Sequence, residues 1–324
     1  MKVYVLPLEP LDKRYTKQWY YWFKEVFLKE GVDFEYIDGE KAKSKLEGKF
    51  FLDMKATFIW KFEQLKKLFK KDLQDEDVIL IPDGEFPGIE AIEYFRKFYN
   101  KKVKIVELWH AGTYDVWDLT YQKGLERIGK SLEEVWFDIA DLVFVATRFH
   151  KELILKNRMV DESKIKVTGW PLDVFDLAKR TIPWSKRKYR LIFTGRLSIE
   201  KGVDVIEEVA EKYPIFITQK YDLKKERYYK ELAFSRGVIA PSRQETFGYG
   251  VAEGMAMNVI PIVPDGLSFV DYVPKRFRYK SKEEMYDLIE KVFSLEKEVN
   301  VRKYVEKYDY RKVIKKMLSF IERL

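Results

Sequence analysis

Residues 241–265 read PSRQETFGYGVAEGMAMNVIPIVPD. The apolar residues 238–242 lead into this stretch as the end of a buried strand, and 259–263 close it as another. Between them, Glu245 and Glu253 flank Phe247-Gly248-Tyr249-Gly250, a small-residue turn that runs into a helix. Strand, acidic turn, helix, strand is the layout that places a polar pocket at the carboxyl edge of a parallel sheet. Two acids in that position point to a ligand rich in hydroxyls. Glu245 has a plainer reading as an acid favoured by a helix N-terminus. Glu253 is harder to dismiss, because its helix (251–257, VAEGMAM) is nearly apolar and expected to be buried on most sides. A buried carboxylate needs donors, and sugar hydroxyls are good ones.

Working outward, strands alternate with helices along the whole chain. Strands are expected over 3–8, 32–37, 78–81, 103–109, 142–146 and 165–168, with an aromatic-rich helix (Tyr15, Trp19, Trp22, Phe23) after the first strand and helices over 54–73, 87–99 and 148–157. A second series follows: strand 190–194, helix 203–212, strand 215–218, helix 223–234, then the opening stretch, and helices over 283–293 and 301–324. Alternation of this kind argues for right-handed βαβ units and parallel sheets. Residues 172–188 lack periodicity and read as a linker. The expected organisation is a first domain over 1–171, the linker, a second domain over 189–300, and a terminal helix over 301–324 that crosses back to the first domain.

The length of 324 residues suits two domains of about 150 residues each, and 46% hydrophobic content fills both cores. The absence of cysteine excludes disulfides and thiolate metal sites. The N-terminal apolar run is too short for a secretory signal, and no run approaches the roughly 18 apolar residues of a membrane span. An intracellular, cytoplasmic protein is therefore expected, peripheral to a membrane at most. The net charge of +8 tolerates anionic ligands, membranes or nucleic acid without selecting among them.

A second motif suggests a phosphate site. Gly195-Arg196-Leu197-Ser198-Ile199-Glu200-Lys201-Gly202 leaves a strand and enters a helix. Glycines let the backbone bend close to a ligand, Arg196 offers a bidentate fork and Lys201 a point charge for the same anion. The helix opening near Gly248 adds free amides and a favourable dipole. In the first half, the strand over 103–109 leads to a polar loop, His110-Ala111-Gly112-Thr113-Tyr114-Asp115. An Asp75-Glu76-Asp77 run precedes a strand and reads as solvated surface, and His150, at the head of a helix, reads as structural.

The series GRLSIEKG, PSRQETFGYGVAEGMA and NVIPIVPDG resembles the retaining GT-B glycosyltransferases of the glycosyltransferase family 4 type, with their E-x7-E motif. The strong match covers roughly residues 191–273, and weaker agreement extends through 142–171. The resemblance implies an α/β GT-B fold, two Rossmann-like domains with parallel sheets facing across a cleft. It implies a hexosyltransferase-like enzyme moving a sugar from a nucleotide-diphosphate-sugar to an acceptor hydroxyl, with retention, no metal and no cofactor. Arg196 and Lys201 would hold the diphosphate beside Gly195, and Glu245 would contact the sugar. The amides of Phe247, Gly248 and Tyr249 would touch sugar and phosphate, and Glu253 would accept from the ribose hydroxyls. His110 would lie near the donor sugar, with Asp115 and Asp118 as acceptor contacts.

Two departures stand out. The turn after the first strand, Pro7-Leu8-Glu9-Pro10-Leu11, has no glycine, and the span from Gly195 to Pro241 looks short, as if one βα unit were reduced, so the identity of the base is not carried over from the resemblance. The acceptor stays open among lipid, glycan, protein and nucleic acid. A lipid acceptor is motivated by Trp19, Tyr20, Trp22 and Phe23 on one helix, although that face also reads as core. A nucleic-acid acceptor is motivated by the charge. Other readings are a GT-B phosphorylase or epimerase, or a non-catalytic sugar-nucleotide binder.

Overall fold

Strands that are apolar on both faces must be covered on both sides, and this chain does so twice. The computed structural model describes residues 1–12, 14–41 and 53–324. The first sheet comprises β1 (Val3–Val5), β2 (Phe34–Tyr36), β3 (Val78–Ile81), β4 (Lys104–Leu108), β5 (Leu142–Val145) and β6 (Ile165–Val167). All its pairings are parallel, in the order β2-β1-β3-β4-β5-β6. Around it lie α1 (Tyr15–Lys29), α2 (Met54–Leu68), α3 (Ile89–Phe98), α4 (Leu119–Gln122), α5 (Glu126–Ile139) and α6 (Arg148–Asn157). A short helix, α7 (Val174–Lys179), leads to the second sheet.

That sheet contains β7 (Lys188–Phe193), β8 (Ile215–Ile217), β9 (Ser235–Ile239), β10 (Ile260–Pro264) and β11 (Arg278–Tyr279). It is also parallel, in the order β11-β10-β9-β7-β8. Its helices are α8 (Val203–Lys212), α9 (Lys225–Ala233), α10 (Tyr249–Ala256) and α11 (Lys282–Phe293), and the described chain ends in α12 (Tyr310–Ile321). Only one strand and one helix, β8 and α9, separate α8 from β9.

One apolar core runs from the α1 face of the first sheet through Trp170 and α12 into the second sheet, while a separate core fills the other face of the first sheet. The seam is also polar. Tyr310 Oη donates to Glu25 Oε1 at 2.7 Å, Trp22 stacks on Tyr310, and Lys315 pairs with Glu30. Leu172 exchanges backbone hydrogen bonds with Tyr308 and Tyr310, tying the start of the second half to the start of α12.

Several sequence expectations are corrected here. Trp19, Trp22 and Phe23 are buried, so these aromatic side chains of α1 are core. The terminal helix starts at Tyr310, where the Asp309 side chain accepts from Arg311 N, and two 3-10 turns, Arg302–Tyr304 and Glu306–Tyr308, precede it. Asp77 is buried and accepts from the amides of Lys2 and Gln74, both at 2.9 Å, so it is structural where the sequence reads as solvated. The sequence reading assigns no element to residues 116–141, yet α4 and α5 lie there. The apolar side chains of α5 divide between core and solvent, with Ile128, Leu132 and Val135 exposed, which blurs its pattern.

Candidate functional site

The second-half side of the candidate site is assembled where β7 and β9 end. Gly202 adopts φ +74°, and a Cβ there would lie 2.2 Å from the carbonyl oxygen of Pro241. Only glycine lets the turn over 195–202 close onto the segment after β9. The two are then laced together. Arg243 N and Gln244 N donate to Glu200 O, and Arg243 forks onto Asp204 at 2.9 and 2.6 Å. Lys201 Nζ donates to Gln244 O at 2.9 Å and to Glu245 Oε2 at 3.0 Å. The other oxygen, Oε1, accepts from Gly248 N at 3.0 Å. Arg196 pairs with Glu200 at 2.9 Å on the same turn. Gly250 lets α10 sit against β7, since a Cβ there would fall 1.9 Å from Thr194 Oγ1.

Glu253 stands one turn beyond Tyr249 on the same face of α10 and is 3% exposed. Its carboxylate is not bare. It accepts from Tyr228 Oη at 2.6 Å, Lys225 Nζ at 3.0 Å and Tyr229 Oη at 3.2 Å. The donors that burial demands are supplied by α9, a contact that the apolar sequence around Glu253 does not announce.

The facing wall comes from the ends of β3 and β4. His110 Nε2 lies 2.8 Å from Pro82 O. A carbonyl only accepts, so Nε2 carries the proton and Nδ1 holds the lone pair, 3.4 Å from Tyr15 Oη. Burial lowers the His110 pKa from its ordinary value, favouring the neutral ring. Burial also pushes the Tyr15 hydroxyl up to about 12, so it stays a donor. Tyr15 stacks on Tyr249 with centroids 5.0 Å apart. Trp19 Nε1 donates to Tyr249 Oη at 2.7 Å, and that hydroxyl donates to Pro171 O at 3.0 Å. Thr246 Oγ1 donates to His110 O at 2.8 Å, which brings residues 136 positions apart against each other.

Both aspartates of this wall already have hydrogen-bond partners. Asp118 Oδ1 caps α4 by accepting from Thr120 N at 2.8 Å, and Oδ2 accepts from Gln244 Nε2 of the second half at 3.2 Å. Asp115 Oδ1 accepts from Trp117 N at 2.9 Å. Burial raises the Asp115 pKa, opposed by the Trp117 amide and, more weakly, by the charge of Lys201.

No protein-family model matches the chain. A chitobiosyldiphosphodolichol beta-mannosyltransferase of Debaryomyces hansenii is 27% identical over 165 residues, 47% of this chain and 35% of that enzyme. The alignment thus spans about a third of that relative's length. Among solved structures, a sucrose-phosphate synthase from Thermosynechococcus elongatus aligns with a TM-score of 0.74, at 10% identity, over 100% of this chain and 98% of its own. An apo lipopolysaccharide outer core galactosyltransferase aligns at 0.67, with 13% identity and 100% of both chains covered. The catalytic domain of Starch Synthase IV from Arabidopsis thaliana aligns at 0.62, with 11% identity, over 99% and 98%. Full-length agreement across two parallel-sheet domains decides the architecture. The fold is GT-B.

Within the GT-B cleft, Gly195, Arg196, Lys201, Glu245, Phe247, Gly248 and Tyr249 gather at the carboxyl edge of the second sheet, and His110 meets them across it. Two expectations change in detail. The amide of Gly248 is already given to Glu245, and Phe247 is buried with its carbonyl accepting from Tyr272 Oη at 2.6 Å. Sequence reasoning passes over Tyr15, Gln18, Trp19 and Gln244, which bridge the two halves; Tyr15 and Trp19 look like ordinary members of an apolar helix stripe. It also passes over Glu85, half-buried after β3, whose carboxyl is pushed well above the usual range by burial, with Asp83 and Asp118 adding to the effect. An acid a few residues past a buried strand is the signal that would have found it.

Proposed function

We propose that this protein is a glycosyltransferase that takes a sugar from a nucleotide-diphosphate-sugar and joins it to an acceptor hydroxyl. The observation that carries the reading is the Lys201–Glu245–Gly248 contact, set beside Arg196 at the sheet's carboxyl edge in a GT-B fold. In the reaction, the bond from the anomeric carbon to the diphosphate oxygen breaks, and its electron pair stays with that oxygen. The acceptor oxygen bonds to the anomeric carbon, and the acceptor's proton passes to the departing diphosphate. Arg196 and Lys201 meet the charge growing on the leaving group, and stabilising that charge is the main way such a site accelerates transfer. On this reading no metal is needed. Glu245 holds a sugar hydroxyl once Lys201 turns to the phosphate. Glu253 accepts from the ribose, and His110 presents its neutral ring to the sugar.

The family 4 type, with its E-x7-E pair and retention, belongs to the same proposal. The partial relative's name includes a beta linkage and a diphosphodolichol acceptor, and on that ground a lipid-linked diphosphate leads the list of acceptors. The decisive experiment incubates the protein with a panel of nucleotide sugars in EDTA and follows release of the nucleotide. Proton NMR of the product then gives its anomeric configuration. Release that Lys201→Ala and Glu245→Ala abolish is the expected result. No release from any donor would defeat the enzyme reading, and an inverted product would defeat retention alone.

A further inference from the structure

Glu253 is occupied before any ligand arrives. Tyr228 Oη reaches Oε2 at 2.6 Å, while Lys225 Nζ and Tyr229 Oη reach Oε1 at 3.0 and 3.2 Å. A carboxylate offers about four acceptor directions, so these three donors leave too little room for two ribose hydroxyls. The donors are not equivalent. Tyr229 is buried, and its hydroxyl, having given its proton to Glu253, accepts from Gln18 Nε2 of α1 at 3.0 Å. It is thus fixed from the first domain. Tyr228 and Lys225 are only half-buried, both lie in the first half of α9, and Lys225 Nζ rests over the Tyr228 ring at 5.0 Å. They form the outer layer over Glu253, and Tyr229 forms the inner one.

We propose that Tyr228 and Lys225 stand in the place of the ribose hydroxyls of a nucleoside diphosphate. Donor binding exchanges them for the 2′- and 3′-hydroxyls, while Tyr229 and Gln18 keep Glu253 aimed. The proposal rests on the donor-site reading above and adds to it a resident competitor. The exchange swaps hydrogen bonds to one carboxylate and leaves no buried acceptor unpaired. It also lowers the observed affinity, because only chains that have released Glu253 bind, and the apparent dissociation constant rises by the inverse of that fraction. Removing a resident donor enlarges the fraction.

Calorimetric titration of the full chain with UDP, ADP, GDP and inorganic pyrophosphate tests this on wild type, Tyr228→Phe and Lys225→Met. Pyrophosphate addresses Arg196 and Lys201 without involving Glu253, so Tyr228→Phe should leave its affinity unchanged. The nucleotide that binds should bind Tyr228→Phe about three- to tenfold more tightly. Lys225→Met should change in the same direction once its effect on pyrophosphate is divided out. The 2′,3′-dideoxy form of that nucleotide should show no gain, having no hydroxyls to exchange. Unchanged or weaker nucleotide binding in both variants overturns the proposal, as does an equal gain with the dideoxy form. Failure of all four probes to bind wild type instead removes the donor-site reading, and this proposal with it.

Discussion

The two walls of the cleft are built in opposite ways. In the second domain, charges face each other in pairs, Lys201 with Glu245, Arg196 with Glu200 and Arg243 with Asp204, on two short motifs clasped by Gly202. In the first domain, the groups are aromatic or buried. His110 and Tyr15 are tuned by loss of water, and Asp118 is spent on a helix cap and on Gln244. Under the proposed function, Lys201 and Arg196 exchange their carboxylate partners for the diphosphate, and Glu245 turns to a sugar hydroxyl. A wall of desolvated rings is prepared to exclude water and to offer neutral hydrogen bonds. The contrast fits a charged donor on one side and an uncharged reacting hydroxyl on the other.

The largest effect is expected at Lys201. Lys201→Ala should lower kcat by about 10²–10³-fold with the fold retained, read from initial rates at saturating donor; a loss below tenfold would mean the paired charges are only structural. Next comes the clasp. Gly202→Ala places a Cβ against the Pro241 carbonyl at positive φ, and should cost about 2–4 kcal/mol of stability in urea unfolding. An unchanged midpoint would show that the two motifs are not held by that contact.

The interior of the first domain should answer to pH instead. His150, whose Nε2 lies 2.5 Å from Tyr114 Oη, has its pKa pushed down to about 3 by burial. From an ordinary value near 6.5 down to about 3, the unfolded chain holds a proton there that the native chain lacks. This contribution to stability is therefore complete above about pH 6.5 and is lost as pH falls, by about 1.4 kcal/mol per pH unit. His150→Gln should make the stability profile between pH 6.5 and 4.5 shallower by one proton, and an unaltered slope would refute the assignment. The smallest expected effect is at Tyr15. Tyr15→Phe removes the hydroxyl facing His110 Nδ1 and should change activity only severalfold, equivalent to about 1 kcal/mol, measured as kcat/KM. A hundredfold loss would move the chemistry onto the wall that the comparison treats as neutral.

How much was legible beforehand follows the same division. Alternating apolar runs gave β3 with its observed bounds and α6 and α8 likewise, because a buried parallel strand and a one-sided helix each leave a local period. The 195–202 turn and the 241–253 segment were legible as two neighbouring motifs because the chemistry of each sits within a few residues, and the structure brings them together through Lys201 and Glu245. The partners of Glu253 were not. They arrive from α9, at residues 225, 228 and 229, where aromatic and basic residues look like any solvated helix. Asp77 was misread for a related reason: three polar residues in a row look exposed until the amide of Lys2 reaches one of them.

By itself, the sequence determined the two-domain α/β plan and the position of the glycine- and charge-bearing turns at 195–202 and 241–253, since each depends on spacing along one segment. Tertiary structure alone decided which groups face one another: Thr246 against His110, Tyr15 on Tyr249, and Gln18 through Tyr229 to Glu253. Burial, and with it the downward pKa shifts of His110 and His150 and the upward shift of Glu85, also came only from packing. The physical reason is range. Propensity and periodicity act over a few residues, whereas desolvation and hydrogen bonding are set by whatever the fold brings within about 3 Å, however distant along the chain.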